Sequence, residues 1–365
     1  MPDTPTGIRL QFLGDISLNG LFCDPQYYVP LGENLTEVTA MLGPCDLRVG
    51  NFESPLWGGQ GFNYKKEPRM ATTAEAATSI LSLDLDVAIL ANNHFYDCLD
   101  RGSAATREFF AHHGVATVGT GPSQAQAIEP RVVELNGKRV GIVAFLDPLT
   151  NPNAGDARTE FVSYLGESRI CEQIAELRSQ VDLVIVSLHW GKYELLRYPS
   201  LRQKKLGRRI VDCGADIVVG HHSHCVQGYE TWNDGLIFYS MGNFVFGGGR
   251  GKEHVPWPRH ARNISVADVL WTGSGLPEVR MHHFVQSEHL LAQDNAAARG
   301  RAQERLNQSL AIGDKAYLRL FRRELFWQWV VLAPFRFIRS SGGIYGAVRR
   351  MRWTHLVALK RMLLR

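Results

Sequence analysis

The stretch that most constrains this chain is Val218-Val219-Gly220-His221-His222-Ser223-His224-Cys225-Val226-Gln227-Gly228-Tyr229-Glu230. A β-branched apolar run stops at a glycine, and three histidines follow within four positions. Such a run reads as a buried strand that delivers its C-terminal loop to the edge of a sheet. Histidines projected there can share a cleft, and neutral imidazole is the commonest biological metal ligand. A polar loop with solvated histidines accounts for the same few residues, so the rest of the chain has to decide.

It decides by repetition. Ile8 to Leu13 alternates apolar and polar residues and gives way to Gly14-Asp15. Asp46 to Val49 feeds Gly50-Asn51-Phe52-Glu53, and Val87 to Leu90 ends at Ala91-Asn92-Asn93-His94. The continuous apolar run Leu183 to Leu188 ends at His189-Trp190-Gly191, and Leu236 to Ser240 precedes Met241-Gly242-Asn243-Phe244. Helical spacing or composition predicts helices over 34–42, 74–83, 104–113, 169–179 and 201–213. Shorter β-like runs fall at 115–118, 139–145, 264–270 and 279–284, while the Gly- and Lys-rich residues 58–69 read as a loop. Strands alternating with helices over this length argue for a layered α/β fold.

In open α/β sheets, ligands gather beyond the carboxyl ends of the strands. Five such ends carry metal-compatible groups: Asp15, Asn51 with Glu53, Asn93 with His94, His189, and His222 with His224. Mixed oxygen and imidazole donors suit Mn, Fe or Zn better than Ca or Mg. Five loops offer more than a single four-coordinate ion needs, so one or two divalent ions are expected. Two-ion sites activate water and clamp an oxyanion during hydrolysis. Each residue also has a plainer reading. Asp15 or Asn93 can cap a helix or turn, Glu53 can pair with a nearby cation, and Asn243 after a glycine can be a turn residue. Lys65, Lys66 and Arg69 are either a solvated basic loop or cations beside the cleft that suit an anionic substrate.

The succession Gly14-Asp15, Gly50-Asn51-Phe52-Glu53, Ala91-Asn92-Asn93-His94, His189-Trp190-Gly191, Gly220-His221-His222-Ser223-His224 and Tyr239-Ser240-Met241-Gly242-Asn243-Phe244 resembles the CapA-type poly-γ-glutamate capsule biosynthesis family. That family is a branch of the calcineurin-like metallophosphoesterase superfamily, and the resemblance covers roughly residues 8–250. It implies an αββα sandwich, assigned to 1–285, while composition and charge suggest a polar connector at 286–315 and a basic helical tail at 316–365. It implies that Asp15 and His224 hold a first metal ion, and that Asn93, His189 and His222 hold a second. Glu53, with Asn51 as its alternative, takes the place of the bridging carboxylate. His94 becomes the general acid, with Asn93 beside it, and His221 a hydrogen-bonding partner behind the ligands. Lys65, Arg69 and Asn243 are the substrate-binding candidates. The chain departs from the superfamily pattern at three points. Asp15-Ile16-Ser17 stands for Asp-x-His, Asn51 stands for the second Asp, and Lys192-Tyr193 precede Glu194 after the His-Trp-Gly motif.

Charge divides the chain unevenly. Residues 316–365 hold 11 of the 40 basic residues and one acid, Glu324, leaving 29 basic against 35 acidic residues over 1–315. Basic segments carrying Trp and Leu, such as Tyr317 to Phe337 and Ala347 to Leu364, suit an interfacial membrane contact. Packing on the globule or between copies is the alternative. No nucleic-acid motif accompanies the charge, so nucleic acid is not an expected partner. Six scattered cysteines without a CxxC pair predict reduced thiols and a reducing compartment. Met1 to Gly7 is polar, and no run reaches the roughly 20 apolar residues of a spanning helix. These features predict a cytoplasmic protein, peripheral on the inner face of the membrane. The leading expectation is a metal-dependent hydrolase acting on an anionic capsule or envelope polymer. A non-catalytic accessory of the capsule-synthesis proteins is the rival.

Overall fold

Ile8 to Ser17 is buried at every position except Arg9, the pattern of a strand covered on both faces. The computed structural model describes residues 7–247 and 257–334, and it places this strand at the centre of a sheet. The chain runs β1 (Ile8–Ser17), α1 (Pro25–Leu42), β2 (Leu47–Phe52), α2 (Ala74–Ala77) with a 3-10 continuation to Leu83, β3 (Val87–Ile89), α3 (Leu99–His112) and β4 (Ala116–Val118). It continues with β5 (Thr120–Gly121), α4 (Gln124–Ile128), β6 (Arg131–Leu135), β7 (Lys138–Leu146), β8 (Phe161–Val162), α5 (Ile170–Arg178), β9 (Leu183–His189), α6 (Leu201–Asp212) and β10 (Ile217–His221). The last elements are β11 (Tyr229–Trp232), β12 (Gly235–Phe238), β13 (Asn243–Phe246), β14 (Asn263–Trp271), β15 (Glu278–Ser287), β16 (Leu290–Gln293), α7 (Ala296–Leu310) and α8 (Asp314–Leu325).

Two large sheets and a two-stranded one of β5 with β8 result, and the α/β class follows as expected. The first has the order β16-β15-β14-β1-β2-β3-β4 with β13 also paired to β1, and the second the order β11-β12-β10-β9-β7-β6. Leu10, Phe12, Val49 and Ile89 of the first sheet share one buried cluster with Ile142, Ile185, Val219 and Phe238 of the second. Truncating a buried Phe such as Phe12 to Ala would cost about 3–5 kcal/mol. The alternate residues Leu13 and Ile16 point the other way, against Leu31, Leu35 and Val38 of α1 and Phe110 of α3. On the outer face of the second sheet, Gly141 approaches Leu177 of α5, and Gly207 of α6 approaches Ile237. Helices therefore flank both sheets.

Several boundaries differ from those expected. α1 begins at Pro25 instead of near Asn34, because Asp24 accepts the Gln26 N–H and Pro25 suits the first turn. Packing of Leu31, Leu35 and Val38 carries the helix through Pro30, where sequence alone suggests a break. The stretch 286–315 is not a uniform connector. It finishes β15, adds β16 to the sheet edge and forms α7. The expectation of six reduced thiols is corrected at two positions, since Cys171 and Cys213 form a disulfide with Cα atoms 5.1 Å apart. The side-by-side contact of α5 and α6 creates it, and a separation of 42 residues gives no hint of that. Cysteine usage thus no longer points to a reducing compartment. Among the described residues, Cys23, Cys45, Cys98 and Cys225 are not disulfide-bonded.

The chain divides into two units, 1–317 and 318–365. Of the second, the described part is the rest of α8 and a wider helical stretch over Phe326–Leu332, in which Phe326 and Trp327 are exposed. The amphipathic helix expected over 347–364 lies outside the described residues. Among the described residues, no helix is long and apolar enough to cross a membrane.

Candidate metal centre

Parallel register lines up the strand ends. Asp15 pairs with Asn51 of β2 on one side and with Asn243 of β13 on the other. In the second sheet, His221 of β10 lies beside His189 at the end of β9. Two glycines permit the close approaches behind this line. A Cβ on Gly14 would sit 2.2 Å from the Gly242 carbonyl oxygen, and one on Gly220 would sit 2.1 Å from that of Tyr239. His222 and His224 both have left-handed backbones, with φ of 88° and 56°. Non-glycine residues rarely adopt that region, and such strain concentrates at functional sites.

The first sheet supplies oxygen donors and the second supplies imidazoles. Asp15 Oδ1 accepts from Asn51 Nδ2 at 2.8 Å and lies 2.8 Å from His221 Nδ1, while Oδ2 accepts the His222 N–H at 3.3 Å. Glu53 sits between the sheets, 3.6 Å from His189 Nε2 and 3.9 Å from both His94 Nε2 and His224 Nε2. Both Glu53 carboxylate oxygens are buried without a hydrogen-bond partner, and so is His222 Nδ1. Two donor sets lie close enough to hold an ion each: Asp15, Glu53 and His224, and Glu53, His189 and His222. Glu53 belongs to both. Bare carboxylate oxygens ringed by imidazoles are the donors a borderline divalent cation takes, so the residues fit such an ion.

A sequence profile for the family described as "Bacterial capsule synthesis protein PGA_cap" matches residues 9–248, which contain every residue of this cluster. The chain belongs to this family. It is 31% identical over 244 residues to the capsule biosynthesis protein CapA of Bacillus anthracis, covering 64% of this chain and 59% of that one. It is 34% identical over 205 residues to the PGA biosynthesis protein CapA of Bacillus subtilis (strain 168), covering 55% and 53%. The matched part thus spans between half and three fifths of these relatives' own lengths. Among solved structures, a 5'-nucleotidase precursor from Thermus thermophilus superposes with a TM-score of 0.47 at 17% identity, over 81% of this chain and 58% of that one. The calcineurin-like phosphoesterase YfkN from Bacillus subtilis superposes with a TM-score of 0.39 at 12% identity, over 79% and 89%.

Within this PGA_cap chain, the other expected site residues take distinct places. Asn93 Oδ1 lies 2.8 Å from His189 Nε2. Asn51 spends its amide on neighbours, donating to Asp15 and accepting from Asn92 at 3.3 Å. His94 turns Nδ1 toward Asp97 Oδ2 at 2.5 Å and Nε2 toward Glu53. Asn243 Oδ1 is 2.9 Å from His224 Nδ1, so it orients that ring. His221 meets Asp15 through Nδ1. Lys65 is exposed and paired with Asp156 at 2.7 Å. Arg69 pairs with Glu67 and stacks 4.8 Å over the Tyr64 ring. Among the described residues, no contact joins either cation to the cluster.

Burial pushes the Glu53 carboxyl well up, and the charges of Asp15 and Glu194 push the same way. Burial, with His222 and His221 beside it, holds His189 well below the ordinary histidine value. Burial likewise takes His222 down to about 4 against the pull of Glu194. Neutral imidazole is the form that ligates. For Asp15, burial pushes up, but the hydrogen bond and charge of His221 outweigh it and the group lies below its usual value. Three participants were missed from sequence: Asp97, the buried Lys66 as distinct from its neighbours, and Glu194. Asp97 stands three residues after His94, a spacing that brings side chains together in a turn, and that was the available signal. Glu194 lies close enough for His224, His222 and His94 to outweigh the upward push of its burial.

Proposed function

We propose that this chain is a metal-dependent hydrolase of the phosphoesterase type, acting on an anionic polymer of a capsule or cell envelope. The observation that carries the reading is Glu53, a fully buried carboxylate with no hydrogen-bond partner, faced by imidazoles from three loops. Asp15 and His224 would hold one divalent ion, His189 and His222 a second, with Glu53 common to both and Asn93 alongside. Mn, Fe or Zn is the favoured identity. A divalent ion there supplies Lewis-acid charge to the scissile group and acidifies water enough for attack near neutral pH. The chain itself fixes the geometry. Asn51 and His221 hold Asp15, Asn243 holds the ring of His224, and Asp97 holds Nδ1 of His94 so that Nε2 faces Glu53. With Nδ1–H held by Asp97, His94 would donate from Nε2 as the charged ring, giving that proton to the leaving oxygen and returning to the neutral Nδ1–H tautomer. Burial holds the His94 ring below the ordinary histidine value, and the charge and hydrogen bond of Asp97 offset that only in part.

A second reading has its own support. A relative in Mycobacterium tuberculosis (strain CDC 1551 / Oshkosh), 25% identical over 230 residues, bears the name probable polyglutamine synthesis accessory protein. On that reading the fold is a non-catalytic partner of capsule-synthesis enzymes. One experiment separates the two: elemental analysis of the purified chain, then assay of bis(p-nitrophenyl) phosphate and poly-γ-glutamate with added Mn. Bound transition metal with hydrolysis of either substrate supports the enzyme. Metal-free protein that stays inert when reconstituted leaves the accessory role. For the basic residues 316–365 we propose a peripheral contact with an anionic membrane surface, and unchanged vesicle binding after their deletion would remove that idea.

A further inference from the structure

Lys66 sits in the loop between β2 and α2, between the exposed Lys65 and Glu67, yet its own side chain is 4% exposed. Lysine is almost never buried so deeply unless it is paired. Its ammonium donates to the backbone carbonyl of Asn93 and lies 3.3 Å from Asp97 Oδ1. Both partners belong to the turn after β3 that presents Asn93 and His94. Asp97 is the hub of that turn: Oδ2 faces His94 Nδ1 and accepts the Met70 N–H at 2.7 Å, and its carbonyl accepts the Asn63 N–H at 2.8 Å. On the far side of the same peptide, Asn93 Oδ1 reaches His189 Nε2. One ammonium therefore grips the turn at two points, between the side chain that meets His189 and the ring that faces Glu53.

We infer that Lys66 is the positioning residue that locks the Asn93–His94 turn against the candidate metal cluster. The ion pair of the Lys66 ammonium with Oδ1, at 3.3 Å, orients the Asp97 carboxylate so that Oδ2 is the oxygen presented to His94 Nδ1. The ring is then fixed with Nε2 toward Glu53. An apolar side chain could fill the space but could not orient either acceptor. The loop already places a second lysine one residue away, and that one is paired at the surface with Asp156, so a basic residue here is not merely a solvated charge. The inference rests on the hydrolase reading for its meaning, because a turn locked beside no reacting group would have only a structural role.

The test uses the full chain labelled with 15N-histidine, its His94 ring signals assigned with a His94→Asn variant. The wild type should show His94 as one tautomer, protonated on Nδ1. Lys66→Met, close in length, should stay folded with a lowered melting temperature, because Asp97 loses its buried cation, while the His94 ring becomes a mixture of tautomers. Its kcat on bis(p-nitrophenyl) phosphate with Mn should fall roughly 100-fold, the scale for a misplaced catalytic group, with KM within about twofold. A folded Lys66→Met with unaltered ring signals overturns the inference. Should that variant fail to fold, Lys66→Ala with ethylammonium in the buffer decides: return of the single tautomer supports the inference and its continued absence overturns it. Glu53→Gln keeps the two claims apart. If it leaves bound metal unchanged, the hydrolase reading fails, while the ring signals of the Lys66 variants still decide how the turn is held.

Discussion

Glu53 and Asp268 are both acids buried in the first sheet, at opposite ends of it, and the protein treats them in opposite ways. Asp268 lies beside Gln11 near the start of β1, and the forked guanidinium of Arg9 meets its two oxygens at 2.8 and 2.6 Å. His282 adds a third contact at 3.1 Å. Burial pushes Asp268 up, but the hydrogen bonds of Arg9 and His282 outweigh it and hold the carboxyl well below its usual range. Glu53, beyond the end of β2, has imidazoles around it and a hydrogen bond from none, and burial holds it well above. Buried polar groups in native proteins are nearly always satisfied, so an exception calls for a cause. Asp268 is a charge the fold completes by itself. Glu53 is a charge left for something else to complete.

The sharpest way to break that contrast is to neutralise each acid in turn. Glu53→Gln should lower Mn or Zn affinity by roughly 100-fold or more and abolish any hydrolysis, measured by elemental analysis and titration calorimetry. The metal-free variant should be at least as stable as the wild type, since an uncompensated buried charge has been removed. Unchanged metal binding would end the metal-centre reading. Asp268→Asn should do the reverse: metal content intact, and a loss of about 2 kcal/mol in urea melts, because Arg9 and His282 lose the acceptor that held them. A neutral Asp268 variant would show that its network is no better completed than that of Glu53.

The two acids should also tilt stability against pH in opposite directions. Asp268 is depressed in the fold, so its contribution is fully present above the unfolded value near 3.9 and is lost as pH falls through and below it. Glu53 is raised, so in the metal-free protein folding is increasingly penalised as pH climbs above about 4.3, by up to ~1.4 kcal/mol per pH unit. Relative to wild type, Asp268→Asn should therefore lose less stability below pH 4, and metal-free Glu53→Gln should gain above pH 5. Parallel curves for all three proteins would remove the distinction.

Much of this site was legible because its donors follow β-branched strands. Leu183 to Leu188 and Ile217 to Val219 can hardly be anything but buried strands, and His189 and His222 follow at once. Asp15 and Glu53 were found the same way. What stayed hidden depends on contacts between segments remote in sequence. β13 pairs with β1 through Asn243, which is why an asparagine after a glycine turns out to orient His224 instead of merely making a turn. Lys66 looked like its neighbours because nothing local marks which of three cations in a loop will turn inward. The start of α1 was obscured by Pro30, a local signal that packing against the sheet overrides. The Cys171–Cys213 bridge needs two helices on one outer face, a relation that appears only once the sheet order is known.

The smallest expected effect tests the exposed lysine beside Lys66. Lys65 and Asp156 form a surface pair at 2.7 Å, with side chains 65% and 50% exposed, and such pairs contribute little to stability. Lys65→Ala should accordingly change the melt by no more than about 0.5 kcal/mol, while Lys66→Met one residue along disturbs the centre. That near-silence makes the variant informative. If Lys65 exchanges Asp156 for an anionic polymer, Lys65→Ala should raise KM several-fold for poly-γ-glutamate but not for the small substrate bis(p-nitrophenyl) phosphate. The kcat should stay put for both, because no contact among the described residues joins Lys65 to the metal donors. Equal KM values for the two proteins on the polymer would mean that Lys65 serves only its surface partner.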